Sequence, residues 1–247
     1  MNPAKVIAVT GASRGIGAAI AVELARRGFT VGCLTRNGQL PQVSDANQHA
    51  ERFLTASCDV NDELSLRDAM AKVAAQAGGL HGLVNNAGIH MDGPSHQIPL
   101  ADYEKVMATN ATAVFSACRE AYPHLLKSGG GTIVNLGSFF DKMGVKRNVA
   151  YCASKAAVGA ITRCLAVEWA NRGIRVLDVA PGYIMTDMNR ETLAQGALAE
   201  HLKKRIPSGS VGSTADVAKL IGAIFSEDIR FLTGETIYID GAQGIAL

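Results

Sequence analysis

Short, compact apolar runs alternate along the chain with longer stretches whose apolar residues recur at helical spacing. The runs are Val6–Val9, Thr30–Thr35, Phe53–Ser57, Gly82–Val84, Thr132–Leu136, Arg175–Ala180 and Thr236–Asp240. Between them lie an Ala-rich amphipathic stretch that reaches Arg27, then Asp62–Gln76, Leu100–Leu126, Ala150–Asn171, 191–205 and 214–226. Gly28 and Gly173 stop two of these, and Gly129-Gly130-Gly131 ends a third. No linker, repeat or low-complexity tract interrupts the alternation, although 38–52 is a polar stretch with no clear period. This order predicts an α/β fold: a single-domain, Rossmann-type, doubly wound parallel sheet with helices on both faces. It occupies residues 1–247 and leaves no separate substrate domain.

Residues with chemistry gather at the carboxyl ends of the predicted strands, where ligands of such sheets bind. Thr10-Gly11-Ala12-Ser13-Arg14-Gly15-Ile16-Gly17 separates the first strand from the first helix. Strand, glycine-rich turn and helix together open a dinucleotide-binding unit. Glycines let the backbone approach a pyrophosphate, and the helix N-terminus offers free N–H groups. In NAD-binding units a carboxylate near the end of the second strand holds the ribose 2′-hydroxyl. Here that strand closes with Leu34-Thr35-Arg36-Asn37. Arg36, with Arg14 inside the turn, can neutralise a 2′-phosphate instead, which points to NADP(H). Asp59 can accept from an adenine amino group or cap the helix that follows. Asn85-Asn86-Ala87-Gly88 suits close packing beside a cofactor, or fixes the end of the fourth strand. Asn110 lies inside a helical stretch, where its propensity is poor and another reason is needed.

Ser138 ends the fifth strand, and Tyr151 and Lys155 stand four apart at the start of a helix. That spacing puts both side chains on one face, about one turn apart. A phenol normally keeps its proton to about pH 10. An ammonium one turn away favours the phenolate and is expected to lower the Tyr151 pKa. Ser138 can hydrogen-bond the same substrate oxygen from the opposite side. Together they describe a proton-transfer site.

Composition narrows the partners. With 48% hydrophobic and 19% charged residues, the chain of 247 residues has the make-up of a folded globular protein with a substantial core. A net charge of +2 is too small to predict nucleic acid or an acidic membrane as partner. Cysteines 33, 58, 118, 152 and 164 form no Cys-x-x-Cys pair and no metal-ligand spacing, so no metal and a reduced, cytoplasmic setting are expected. Met1–Lys5 leads into a strand without signal-peptide architecture, and no apolar run is long enough to span a bilayer.

With these residues in place, the chain resembles the classical branch of the short-chain dehydrogenase/reductase family over nearly its whole length. The Gly-x-x-x-Gly-x-Gly spacing of Gly11, Gly15 and Gly17, the Asn85–Gly88 run, Asn110, Ser138, Tyr151-x-x-x-Lys155 and Pro181-Gly182 carry the likeness. Within the family it looks most like the bacterial 3-oxoacyl-(acyl-carrier-protein) reductases, through Ser13–Gly17, Pro181–Met188 and Thr233-Gly234-Glu235. The resemblance implies that Tyr151 is the general acid in reduction and the base in oxidation, and that Ser138 orients the carbonyl or alkoxide oxygen. Lys155 would hold the nicotinamide ribose hydroxyls and lower the Tyr151 pKa, and Asn110 would position a water linking Lys155 to solvent. Implied cofactor contacts begin with Gly11, Ser13, Arg14, Gly15, Ile16, Gly17 and Arg36. They continue with Asp59, Val60, Asn86, Ala87 and Gly88, and end with Pro181, Gly182, Ile184 and Thr186 beside Tyr151 and Lys155. Gly137, where many members have serine, is a departure.

Beyond Ser138 and Tyr151, the implied substrate walls are Phe139, Phe140, Tyr183 and Met188, with His90, Met91, Met143, Ile184, Met185 and the segment up to Ile206 as further candidates. That lining is apolar and adaptable and suits an acyl chain or a cyclic ketone; several of its members can equally be covering the edge of the sheet. His90 and His96 are polar contacts or structural. The expected reaction is NADP(H)-dependent reduction of a 3-oxoacyl thioester, free or carried on a protein, with Lys127 and Arg172 as candidate docking charges. A secondary-alcohol, polyol or sugar-acid dehydrogenase is the alternative within the family. A non-catalytic NADP-sensing or scaffold protein is the alternative outside it, and the intact Asn-Ser-Tyr-Lys set argues against it. The resemblance also implies a homotetramer, pairing the two long helices and, separately, the C-terminal strands.

Overall fold

The structure, a computed structural model, describes residues 4–187, 189 and 196–246. The strands are β1 (Val6–Thr10), β2 (Thr30–Thr35), β3 (Phe53–Ser57), β4 (Gly82–Asn85), β5 (Gly131–Leu136), β6 (Ile174–Pro181), β7 (Ile184–Met185), β8 (Gly212–Ser213) and β9 (Thr236–Ile239). Seven of them form a parallel sheet in the order β3-β2-β1-β4-β5-β6-β9, while β7 and β8 pair separately. The helices are α1 (Gly15–Arg26), α2 (Glu63–Ala77), α3 (Leu100–Met107), α4 (Ala113–Lys127), α5 (Val149–Trp169), α6 (Gly196–Arg205) and α7 (Thr214–Ser226).

Continuous apolar strands demand cover on both sides, and the helices supply it. Ile7 and Val9 point to one face, where Ile20 and Leu24 of α1 meet Val217, Ile221 and Phe225 of α7. Val6 and Ala8 point to the other, against Leu66 and Met70 of α2, Val114 and Leu125 of α4, and Val158 and Leu165 of α5. From β1 the chain first builds outward to β2 and β3, then crosses to β4 and builds the other way. The crevice at that reversal is where ligands of doubly wound sheets bind.

Local chemistry sets the ends of these elements. Asp62 caps α2, its carboxylate accepting from the N–H of Leu64 (2.9 Å) and Ser65 (3.3 Å). α5 closes through a 3₁₀ turn, Ala170–Arg172, into Gly173 at φ +70. The polar stretch before β3 contains a 3₁₀ segment, Ala46–Arg52. The expected Leu100–Leu126 helix is interrupted: Ala108–Thr112, between α3 and α4, is a π-helical turn, and Asn110 lies in it. Such a turn accommodates one extra residue and is common at functional sites. The described part of the expected 191–205 helix is α6, and 191–195 lie outside the described residues. Lys127 ends α4 and Arg172 follows α5, both next to the starts of β5 and β6. They sit at the end of the sheet opposite Ser138 and do not border this chain's own cleft. Among the described residues, no helix is long and apolar enough to cross a membrane.

Candidate active site

The first half of the cleft is made of backbone. After β1 the chain turns through Gly11 (φ +66) and Gly15 (φ +57), both in the region that favours glycine. A Cβ on Gly17 would lie 2.2 Å from Gly11 O and 2.4 Å from Asn86 Nδ2, so only glycine lets α1 close on the turn. Arg14 precedes α1 in extended backbone with no side-chain cap, and the first turn of α1 holds no acid. Its N–H groups thus present a positive pole to the crevice. The Asn86 side chain donates to Thr10 O (3.0 Å) and Gly11 O (3.2 Å), and Thr10 Oγ1 accepts from the N–H of Asn86 and Ala87. Those two residues lock the end of β4, ahead of Gly88, to the glycine turn.

Arg36 leaves the end of β2 and is exposed, as is Arg14. The carbonyl of Arg36 accepts from Ser57 Oγ at 2.8 Å, which fixes the backbone at this corner. Asp59 is also exposed, and its carboxylate accepts from the N–H of Asn61 at 3.0 Å. Since Asp62 caps α2, the capping reading of Asp59 falls away. Val60 packs on the sheet's second face. At the far side, Gly182 donates its N–H to Ile239 O (3.0 Å), and a Cβ there would lie 2.8 Å from Asp240 Cα. That contact carries the chain from buried Pro181 into β7 with Ile184. Thr186 then returns to the glycine turn: a Cβ on Gly15 would be 3.9 Å from its Cγ2. A backbone cradle that any Cβ would fill, a helix N-terminus and two arginines in place of a carboxylate fit a phosphorylated dinucleotide.

The second half is made of side chains, most of them buried. Ser138 follows β5 and is 7% exposed, its Oγ accepting from the N–H of Phe140 at 3.3 Å. Tyr151 and Lys155 share a face of α5, with Lys155 Nζ 5.5 Å from the centre of the Tyr151 ring. Lys155 donates to Leu136 O at 2.7 Å. Asn110 accepts from Ile89 N–H (2.8 Å) and donates to Ile89 O (2.9 Å) and Ser154 Oγ (3.2 Å). Ser154 Oγ in turn donates to Tyr151 O at 2.8 Å. The π-turn asparagine is thus a brace that joins the loop after β4 to the second turn of α5.

Ionisation departs from the expectation drawn from spacing. Burial pushes the Tyr151 phenol above its ordinary value, and hydrogen bonding with Ser138 pulls it only part of the way back. The neighbouring ammonium does not lower it here, because Lys155 is turned onto Leu136 O and is itself desolvated. Burial brings Lys155 down to about 8, opposed by the charge of Asp178.

Aromatic rings wall the phenol. Phe140 stands edge-on to it at 6.0 Å between centroids, and Phe139 and Phe140 both pack on Tyr183, at 5.5 and 6.1 Å. His90 packs edge-on to Tyr151 at 4.9 Å and is held by Asn148 Oδ1. Tyr183 and Met185 also pack with Leu202 and Ile206 of the following segment. Met188, expected in this wall, lies outside the described residues. Two residues of the site went unrecognised in the sequence. Asn148 has the place of a helix cap yet makes no cap bond and turns to His90 instead. Asp178 is a lone acid inside an apolar strand, and that was its available signal.

Fold and cleft together define an oxidoreductase of the nicotinamide-dependent, doubly wound class. A family model described as enoyl-(acyl carrier protein) reductase matches residues 11–242. The 2-(R)-hydroxypropyl-CoM dehydrogenase of Xanthobacter autotrophicus is 36% identical over 244 residues, covering 96% of this chain and 98% of the relative. Human 3-oxoacyl-[acyl-carrier-protein] reductase is 34% identical over 243 residues, covering 98% and 99%. The crystal structure of a gluconate 5-dehydrogenase from Burkholderia cenocepacia, in complex with NADP and tartrate, matches with a TM-score of 0.91 at 28% identity, covering 98% and 96%. The chain belongs to the classical short-chain dehydrogenase/reductase family.

Proposed function

We propose that the chain is an NADP(H)-dependent oxidoreductase that reduces a ketone, most directly a 3-oxoacyl thioester, to the secondary alcohol. The observation that carries this reading is the half-buried Tyr151 phenol, whose proton is held more tightly than an ordinary phenol's, beside the buried Ser138 hydroxyl. It is a general acid at rest. In the proposed reaction the substrate oxygen accepts hydrogen bonds from Ser138 Oγ and Tyr151 Oη, and Tyr151 gives up its proton as negative charge builds on that oxygen. Lys155 then faces the phenolate and stabilises it, and Asn110 keeps α5 in register with the loop after β4. The bound cofactor supplies the hydride at nicotinamide C4.

The backbone from Gly11 to Gly17 would hold the pyrophosphate, with Arg14 and Arg36 on the 2′-phosphate and Asp59 and Val60 at the adenine. Asn86, Ala87 and Gly88 would line the middle of the cofactor, and Pro181, Gly182, Ile184 and Thr186 its nicotinamide end. Lys155 would exchange Leu136 O for the ribose hydroxyls. The gluconate 5-dehydrogenase relative, solved with NADP, supports the phosphorylated cofactor.

The uncharged wall of Phe139, Phe140 and Tyr183 favours an apolar acyl chain, and the human 3-oxoacyl reductase relative supports it. A polyol or sugar-acid substrate is the second reading, favoured by His90, a polar ring held against Tyr151 where a second hydroxyl can be met. A homotetramer is proposed from apolar residues left open on α4 and α5 (Phe115, Leu126 and Val167) and from β9 at the sheet edge. The described cysteines are unpaired and fit a reducing cytoplasm. Following NADPH oxidation with an acetoacetyl thioester beside a panel of ketones, polyols and sugar acids tests the substrate. Preference for the thioester is expected, and activity confined to the panel would overturn it.

A further inference from the structure

A row of polar side chains crosses the sheet beneath α5. Register aligns Asn85 of β4 with Asn135 of β5, Asn135 with Asp178 of β6, and Asp178 with Thr236 of β9. Paired residues of neighbouring strands face the same side of a sheet. The two amides are well served: Asn85 Nδ2 donates to Asn135 Oδ1 (2.9 Å), and Asn135 Nδ2 donates to Thr162 Oγ1 (2.8 Å). Asp178 is not. It is 0% exposed, its Oδ2 accepts from Thr236 Oγ1 at 3.2 Å, and its Oδ1 has no hydrogen-bond partner among the described residues. A buried carboxylate left short of partners is costly unless a nearby charge answers it.

Gly137 makes room for that carboxylate, and Gly159 borders it. A Cβ on Gly137 would fall 2.4 Å from Oδ1 and 2.6 Å from Oδ2, and one on Gly159 would lie 3.9 Å from Oδ2. Gly137 sits between Leu136, whose carbonyl receives Lys155 Nζ, and Ser138. Gly159 is one helical turn beyond Lys155 on α5. The acid is therefore wedged between the two segments that fix Lys155, a cation buried on the same side of the sheet. A side chain at 137 would collide with the Asp178 carboxylate in this position.

We infer that Asp178 is a positioning residue, the buried countercharge that keeps Lys155 in its cationic form beside Tyr151. The inference rests on the role proposed for Lys155 above. Each group acts on the other. Burial raises Asp178 to about 6 while Lys155 opposes the rise, and burial lowers Lys155 to about 8 while Asp178 opposes the fall. The other titratable groups facing Asp178 are Asp141, in the turn after β5, and Tyr238 of β9, whose hydroxyl donates to Asp141 at 2.8 Å. Arg163 of α5 borders the same notch, its Nη1 3.3 Å from where a Cβ on Gly159 would lie, and it also acts on Tyr238.

The test reads Lys155 directly and needs no turnover. Carbon-13 lysine NMR of the unliganded protein, with the Lys155 Cε resonance assigned by its loss in Lys155→Met, follows the ammonium across pH. In the unaltered protein the main inflection is expected near pH 8, with a smaller one near pH 6 as Asp178 takes up its proton. In Asp178→Asn the main inflection is expected to fall by roughly one unit or more and the smaller one to vanish. An unaltered main midpoint in Asp178→Asn, or no second inflection in the unaltered protein, would overturn the inference. The second arm decides even if the variant does not fold. If the NMR shift is found while no alcohol or ketone is ever turned over, the proposed function fails and the countercharge stands.

Discussion

The two halves of the cleft work by opposite means. Around β1 and β2 the polar contacts are mostly backbone, and Arg14, Arg36 and Asp59 reach into solvent. Around β5, β6 and α5 the functional side chains are enclosed: Ser138 is 7% exposed, Lys155 6%, and Asn110 and Asp178 0%. Solvent-exposed charges choose among ligands by contact. Enclosed ones have their protonation set by desolvation and by each other. The comparison separates cofactor choice, a matter of a few exposed groups, from proton transfer, a property of the packed interior.

If that division is right, damage in the two halves has different signatures. The largest effect is expected in the buried half. Lys155→Met should lower kcat by roughly 10²–10⁴-fold, because the phenolate loses its stabilising cation. Steady-state assays beside cofactor fluorescence titrations check it, and a loss seen only in cofactor affinity would blur the comparison. In the exposed half, Arg36→Asp should weaken NADPH by roughly 10–100-fold, the scale of a charge-assisted contact, while sparing NADH. Equal weakening of both cofactors would refute the 2′-phosphate assignment.

A gentler probe is pH. Reduction needs Tyr151 protonated, which its raised pKa secures at neutral pH, and Lys155 cationic, which holds only below about 8. The kcat/KM for reduction should therefore be level below about 8 and fall as pH rises through that value. A reduction profile that climbs between neutrality and pH 9 would contradict these assignments. Smallest of all, Asp62→Ala removes the cap of α2 away from the chemistry. It should cost about 1 kcal/mol in denaturant unfolding and leave kcat within twofold.

Most of the scaffold was legible in the sequence because parallel strands, buried on both faces, announce themselves as unbroken apolar runs. The boundaries of β2 and β3 agree with those runs residue for residue. The glycine turn was legible for a steric reason: Gly11 and Gly15 take positive φ, and Gly17 meets a carbonyl where a Cβ would go. Other features depend on depth and direction, which spacing does not carry. Tyr151 and Lys155 do share a face, but the direction of the phenol's shift turned on burial and on Lys155 reaching Leu136 O. The π-turn around Asn110 reflects contacts with Ile89 and Ser154, more than 20 residues away in each direction, which no local propensity encodes. Asn148 and Asp178 owe their places to partners, His90 and the glycine notch at 137, brought together only by folding.

The central claim is that the half-buried Tyr151 hydroxyl delivers the proton that completes carbonyl reduction. Its most direct test is a single-turnover experiment with Tyr151→Phe, saturated with NADPH deuterated at the transferred position, following deuterium into the product alcohol. Cofactor affinity close to that of the unaltered protein, with label transfer slowed at least roughly 10²-fold, is the predicted result. Label transfer at the unaltered rate would contradict it.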